Sequence, residues 1–106
     1  MEEITPDELQ DMRDNDDPVI IDVLPHKYFR KQHIPGALNI EGDDLALAED
    51  LLDKDRPIVV YCMDEQCGAS PQAAKTLEEQ GFKNIFDLPS GIEGWEEAGY
   101  PVRTSV

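Results

Sequence analysis

Two thiols five residues apart, Cys62 and Cys67, are the side chains of this 106-residue chain whose spacing most directly suggests chemistry. Cys62 ends the apolar run Pro57-Ile58-Val59-Val60-Tyr61-Cys62, and Ser70-Pro71, eight residues on, has the form of a helix start, with Ser70 as N-cap. A loop leading from a strand into a helix can curl so that its N–H groups, with the positive helix end, converge on the sulfur. That setting favours the thiolate, which is the nucleophile. Met63, Asp64, Glu65, Gln66, Cys67, Gly68, Ala69 and Ser70 therefore form the candidate active-site loop, with Cys62 as catalytic residue. The plainer reading makes Cys62 a core residue, since free cysteines are often interior; its position at a strand end argues for the nucleophile. Two cysteines cannot supply the four ligands of a Cys-only zinc site, and no metal or organic cofactor is implied.

Alternating elements must position this loop. Thr5-Pro6-Asp7-Glu8 reads as a capping box opening a helix whose Leu9 and Met12 face inward, and Val19–Val23 follows as a buried strand bounded by prolines. A short helix over 26–32 leads through His33-Ile34-Pro35-Gly36-Ala37 to a small strand at 38–40. Leu45, Ala48, Leu51 and Leu52 recur at helical spacing and are expected inside. The run 57–62 has no polar residue on either face, so it is a central strand covered by helices on both sides. The next helix carries Ala73, Ala74 and Leu77 inward and stops at Gly81, and a last strand lies within 82–88. Ser90-Gly91-Ile92-Glu93 reads as a second capping box before a helix that buries Ile92 and Trp95. The pattern predicts a single α/β domain over 1–106, with a mainly parallel central sheet and helices on both faces. Ligands of such sheets bind at the carboxyl ends of the strands.

Among the other polar residues, Asp22 interrupts a buried strand and must accept hydrogen bonds, from backbone or from His33. His33 is suited to proton shuttling at neutral pH, but structural roles are the simpler reading for both. Trp95 reads as core and His26 as a solvated helix residue.

Composition narrows the partners. Against 24 Asp+Glu stand 9 Lys+Arg, a formal charge of −15 that repels nucleic-acid phosphate and anionic lipid. The acids are spread along the chain, which suits solubility in a salty cytoplasm; a docking face for a basic protein would instead cluster them on one surface. No apolar stretch approaches the roughly 20 residues of a membrane span, and an acidic Met1-Glu2-Glu3 is unlike a signal peptide, so a cytoplasmic location is expected. One tryptophan and no exposed apolar stripe predict a monomer.

In order and spacing, Ile20-Ile21-Asp22-Val23, the stretch His33 to Ile40, Pro57 to Cys62, Gly81-Phe82, Gly91-Ile92-Glu93-Gly94-Trp95 and Gly99-Tyr100-Pro101-Val102 resemble the rhodanese-like family of single-domain sulfurtransferases. The resemblance covers nearly the whole chain. It implies the rhodanese-like fold, and that Cys62 takes a sulfane sulfur from a donor, such as a persulfide or thiosulfate, holds it as a persulfide, and passes it to a thiol, cyanide or a protein cysteine. A persulfide anion carries its charge on the outer sulfur, which a cradle of backbone donors from residues 63–69 would stabilise.

Three departures from the family pattern matter. The loop is about two residues longer than usual and carries Asp64 and Glu65 with no Lys or Arg. Each carboxylate opposes the thiolate and repels dianionic thiosulfate by about 1 kcal/mol at surface-like dielectric, so weak thiosulfate activity is expected. Second, Cys67 shares the loop with Cys62. A curled loop can bring the two Cα atoms inside the roughly 4.4–6.8 Å window of a disulfide. Cys67 is then a resolving thiol that attacks a persulfide or sulfenic acid on Cys62; alternatively it is a small residue filling the loop interior. Third, where relatives often carry an Arg and Glu after the first strand, this chain has Leu24 and Tyr28, and an ion pair is lost.

Dual-specificity phosphatases share the fold but close their loop on an arginine, and residues 63–70 have none, so phosphoryl chemistry is disfavoured. Two rivals to sulfur transfer remain: a thiol redox or sensor domain using Cys62 and Cys67 as a pair, and a catalytically silent rhodanese-fold binding module.

Overall fold

The computed structural model describes residues 1–105 and joins five strands in one parallel sheet. In chain order these are β1 (Glu2–Glu3), β2 (Val19–Asp22), β3 (Leu38–Asn39), β4 (Ile58–Tyr61) and β5 (Ile85–Leu88), and across the sheet they run β1-β5-β4-β2-β3. The helices are α1 (Pro6–Asn15), α2 (His26–Lys31), α3 (Ala48–Leu51), α4 (Ala69–Glu79) and α5 (Gly91–Glu97), with a 3₁₀ segment at Gly42–Leu47 before α3. The expected α/β class holds, and its sheet is parallel throughout.

The unbroken apolar runs follow from burial on both faces. Ile21, Ile58, Val60, Cys62 and Ile85 face one layer, where Ala73, Ala74 and Leu77 of α4 pack with Leu45 and Ala48. Ile20, Val59, Tyr61 and Leu88 face the other, against Leu9 of α1, Ile34, and Ile92 and Trp95 of α5. Every residue of β4, the strand that leads directly into Cys62, is sealed from solvent.

Local signals held where side chains alone decide the geometry. Thr5 and Glu8 form the expected capping box, with Glu8 N–H donating to Thr5 Oγ1 (3.2 Å) and Thr5 N–H to Glu8 Oε1 (3.0 Å). Gly81, at φ 98°, ends α4 with its own N–H on Glu78 O and that of Phe82 on Leu77 O.

Two expectations are corrected, and one strand was not anticipated. Leu51 points outward, 71% exposed, because a 3₁₀ segment precedes α3 and in the single α-turn that follows Leu52 lies nearer the direction of Ala48. Ser70 is not the N-cap of α4: the helix begins at Ala69 after Gly68, and Ser70 is buried in its first turn. The strand β1, too short and acidic to show any periodicity, pairs Glu2 with Phe86 and Glu3 with Asp87.

Candidate active site

Cys62 follows β4 directly, and its loop is anchored by the helix at the end of the next crossover. Ile92 N–H donates to Cys62 O (3.0 Å) and Glu93 N–H to Met63 O (3.1 Å), so the first turn of α5 grips the loop's opening peptides. The approach leaves no room at Gly91 (φ 65°): a Cβ there would lie 2.6 Å from Cys62 O and 2.5 Å from the Met63 carbonyl carbon. The second capping box expected at Ser90 and Glu93 is absent for the same reason. Ser90 has helical φ and ψ (−72°, −13°), which turns its side chain from the capping position, and the amides it would have capped bond the loop instead.

Cys62 and Cys67 are joined by a disulfide across a Cα–Cα distance of 6.2 Å, so neither is a free thiol. Asp64 shapes the bridge. Its carbonyl accepts Cys67 N–H (3.2 Å) and its Oδ1 accepts Gln66 N–H (3.0 Å), a tight turn that carries Cys67 back over Cys62. Two of the amides expected to ring the sulfur therefore serve Asp64. Cys62 is 1% exposed and packs with Val60, while the half-buried Cys67 lies on the same core layer. In this oxidised form the Cys62 sulfur is covered rather than presented.

Asp87, which sequence reading passed over, sits behind the loop. Its register partner on β4 is Val60, two residues before Cys62. It is fully buried, and neither carboxylate oxygen has a hydrogen-bond partner at ordinary distance. Burial pushes its pKa up; the Ser70 hydroxyl pulls it back in part, and the charge of Glu3 adds to the rise. A polar residue in an otherwise apolar strand was the available signal.

Asp22 and His33 are not brought to the loop. Asp22 pairs in register with Tyr61, on the sheet face opposite Cys62. Its Oδ1 accepts Leu24 N–H (2.9 Å); burial pushes its pKa up against the Leu24 amide, the Tyr61 hydroxyl and the nearby His33. Tyr61 spans the layer, its hydroxyl accepting Ile34 N–H (3.1 Å), and burial followed by the Asp22 charge drives its pKa far upward. The hydrogen bond expected from His33 to Asp22 is not formed. His33 Nδ1 donates to Phe29 O (2.8 Å), its ring stacks on Phe29 at 3.9 Å, and its backbone bridges Arg103. His26 is exposed, as expected, with Nδ1 2.9 Å from Asn39 Oδ1, and Trp95 is core.

The two flanks of the loop differ in charge. On one, Asp64, Glu65, Glu93 and Glu97 line a depression of about 340 Å³ with Gln66 and Ser90. On the other, Leu24, Tyr28, Met63 and Ile92 line an apolar recess of about 250 Å³ edged by Lys31 and Gln32. Lys27 and Lys31 both stand over the Tyr28 ring, at 5.1 and 5.7 Å from its centroid. The loop lacks a basic residue, but α2 brings one to its edge. Lysines four apart around Tyr28 were visible in the sequence; that Lys31 lines the same recess as Met63 required the fold.

A family model described as "Rhodanese-like domain" matches residues 5–98. Over 104 residues the chain is 33% identical to the thiosulfate sulfurtransferase GlpE of Actinobacillus succinogenes, covering 97% of this chain and 91% of that protein. It is also 39% identical over 101 residues to the HTH-type transcriptional regulator Rv0324 of Mycobacterium tuberculosis, covering 93% of this chain and 43% of the regulator. Among solved structures, the Alr3790 protein from Anabaena superposes with a TM-score of 0.86 at 27% identity, over 97% of this chain and 82% of that one. Among the described residues no helix is long and apolar enough to cross a membrane.

Proposed function

This chain belongs to the rhodanese-like domain family, and from that premise we propose that it moves a sulfane sulfur from a donor to a thiophilic acceptor through a persulfide on Cys62. The observation that carries the reading is the position of Cys62, immediately after the central strand of the sheet and at the head of the loop that leads into α4. Similarity to proteins named thiosulfate sulfurtransferase supports it.

The cycle starts from the reduced protein, in a reducing cytoplasm where the loop disulfide is opened. The Cys62 thiolate attacks the outer sulfur of a donor persulfide, forming the Cys62 S–S bond and expelling the donor thiolate. Freed of the bridge, the loop lends unspent amides and the start of α4 to the outer sulfur's charge. A thiol, cyanide or a protein cysteine then takes that sulfur and returns the Cys62 thiolate. Thiosulfate is a poor donor here, because its two charges meet the wall of Asp64, Glu65, Glu93 and Glu97. The apolar recess against Met63 suits the organic part of a persulfide instead.

The test uses Cys67→Ser, in which no second thiol competes. After exposure to glutathione persulfide its mass should rise by about 32 Da, on the Cys62 peptide. Cyanide should remove that mass as thiocyanate, and an added Cys62→Ser should abolish both; a protein that never gains the mass does not transfer sulfur this way. The disulfide favours one second reading, a thiol redox or sensor domain that cycles the Cys62–Cys67 pair without carrying sulfur. Under that reading the pair titrates with redox potential while the mass gain never occurs.

A further inference from the structure

The sulfur-transfer reading uses only one of the two cysteines, yet the turn built by Asp64 holds Cys67 within bonding distance of the nucleophile. We propose that Cys67 discharges the Cys62 persulfide as sulfide, making the domain a reductase of sulfane sulfur. The proposal rests on the persulfide reading above and adds the fate of the sulfur.

The step balances. The Cys67 sulfur attacks the inner sulfur of the persulfide, Sγ of Cys62; the Cys62–Cys67 disulfide forms, the bond to the outer sulfur breaks, and that sulfur leaves as hydrosulfide with the proton from the Cys67 thiol. The outer sulfur is reduced by two electrons, and the two cysteine sulfurs are together oxidised by two. The product is the disulfide of this structure. A dithiol reductant restores both thiols, so one turnover consumes one sulfane sulfur and one dithiol and yields one sulfide and one external disulfide.

Three observations carry this beyond mere proximity. The Cα–Cα distance of 6.2 Å falls inside the range a disulfide spans, so Cys67 needs no rearrangement of the core to reach Cys62. The loop's hydrogen bonds, from Gln66 and Cys67 to Asp64, organise the segment between the cysteines around that approach. Burial is also unequal: Cys62 is sealed while Cys67 is half-buried. An incoming dithiol therefore meets Cys67 Sγ, forms its mixed disulfide there, and expels Cys62 as the thiolate, ready for the next donor.

A single turnover without reductant tests this. Reduced wild type, Cys67→Ser and Cys67→Ala are loaded briefly with glutathione persulfide, desalted, and followed by intact mass and by trapping of released sulfide. Wild type should lose the added sulfur at least ten times faster than either variant, release about one equivalent of sulfide, and end about 2 Da lighter than the reduced protein. Persulfide that persists in wild type as long as in the variants overturns the proposal. Variants that never gain the sulfur overturn the persulfide reading itself, and this inference with it. Wild type that loses the sulfur but keeps both thiols has passed it to an external acceptor, which also overturns the proposal. The wild-type arm stands alone should a variant fold poorly.

Discussion

At the residue scale, the proposed sulfur transfer makes the carboxylates around the loop the groups that select the donor. Replacing Asp64 with Asn and Glu65 with Gln retains the oxygen that accepts Gln66 N–H but removes two charges, and at about 1 kcal/mol each kcat/KM for thiosulfate should rise about thirtyfold at low salt. Raised ionic strength should narrow the gap between variant and wild type; equal rates at low salt would show that the charges do not govern donor choice. Asp87 gives a pH signature. Its carboxyl pKa is raised by burial, so the folded chain prefers the protonated form: the residue costs nothing below the ordinary value of 3.8 and weakens the fold as pH climbs past it. Asp87→Asn should therefore raise the melting temperature at pH 7, by about 5 °C for roughly 1 kcal/mol, and the gain should fade towards pH 3.5. A gain independent of pH would place its origin in packing rather than charge. Tyr61 contributes differently, since its hydroxyl is the acceptor for a buried amide. Tyr61→Phe strands Ile34 N–H and should cost about 1–3 kcal/mol in chemical denaturation, with little loss of unfolding m-value.

At the scale of elements, the loop is as well made as its neighbour α5 allows. Gly91→Ala drives a methyl into the Cys62 and Met63 carbonyls and adds a strained φ, so it should lower stability by about 3 kcal/mol or more and loosen the loop. Thermal melts and the rate of Cys67 alkylation in the reduced protein read the two effects. This contact also shows why sequence reading succeeded unevenly. β2 and β4 were legible because apolar runs bounded by proline admit few other readings, and Thr5 capped α1 because its partner lies three residues away. Ser90 offered the same local pattern, but distant carbonyls claimed the amides, and Ser70 was drawn into the core beside Asp87. The placement of Cys62 at the end of a buried strand, with its loop leading into α4, was visible from position alone. The pull of Asp64 on two loop amides, and the arrival of Lys31 at Met63, depend on how loop and helix fold in space.

At the scale of the whole molecule, a charge of −15 is offset by few internal pairs. The ion pairs of the described residues, such as Lys54–Glu49 at 3.0 Å and Arg56–Asp17 at 3.1 Å, lie at the surface, where each contributes little. Self-repulsion should therefore weaken the fold in dilute buffer, and the melting temperature should climb by several degrees, roughly 5 °C, between about 0.05 and 1 M NaCl. A melting temperature indifferent to salt would mean that the acids are already well separated. The same surface has local contrast, with the four acids on one flank of the loop and Lys31 on the other. The sheet, finally, begins and ends in strands of two residues, β1 and β3, the first made of Glu2 and Glu3. So little unpaired backbone, flanked by repelling side chains, gives a second copy almost nothing to extend, and crowded solutions of this protein should resist growth into fibrils.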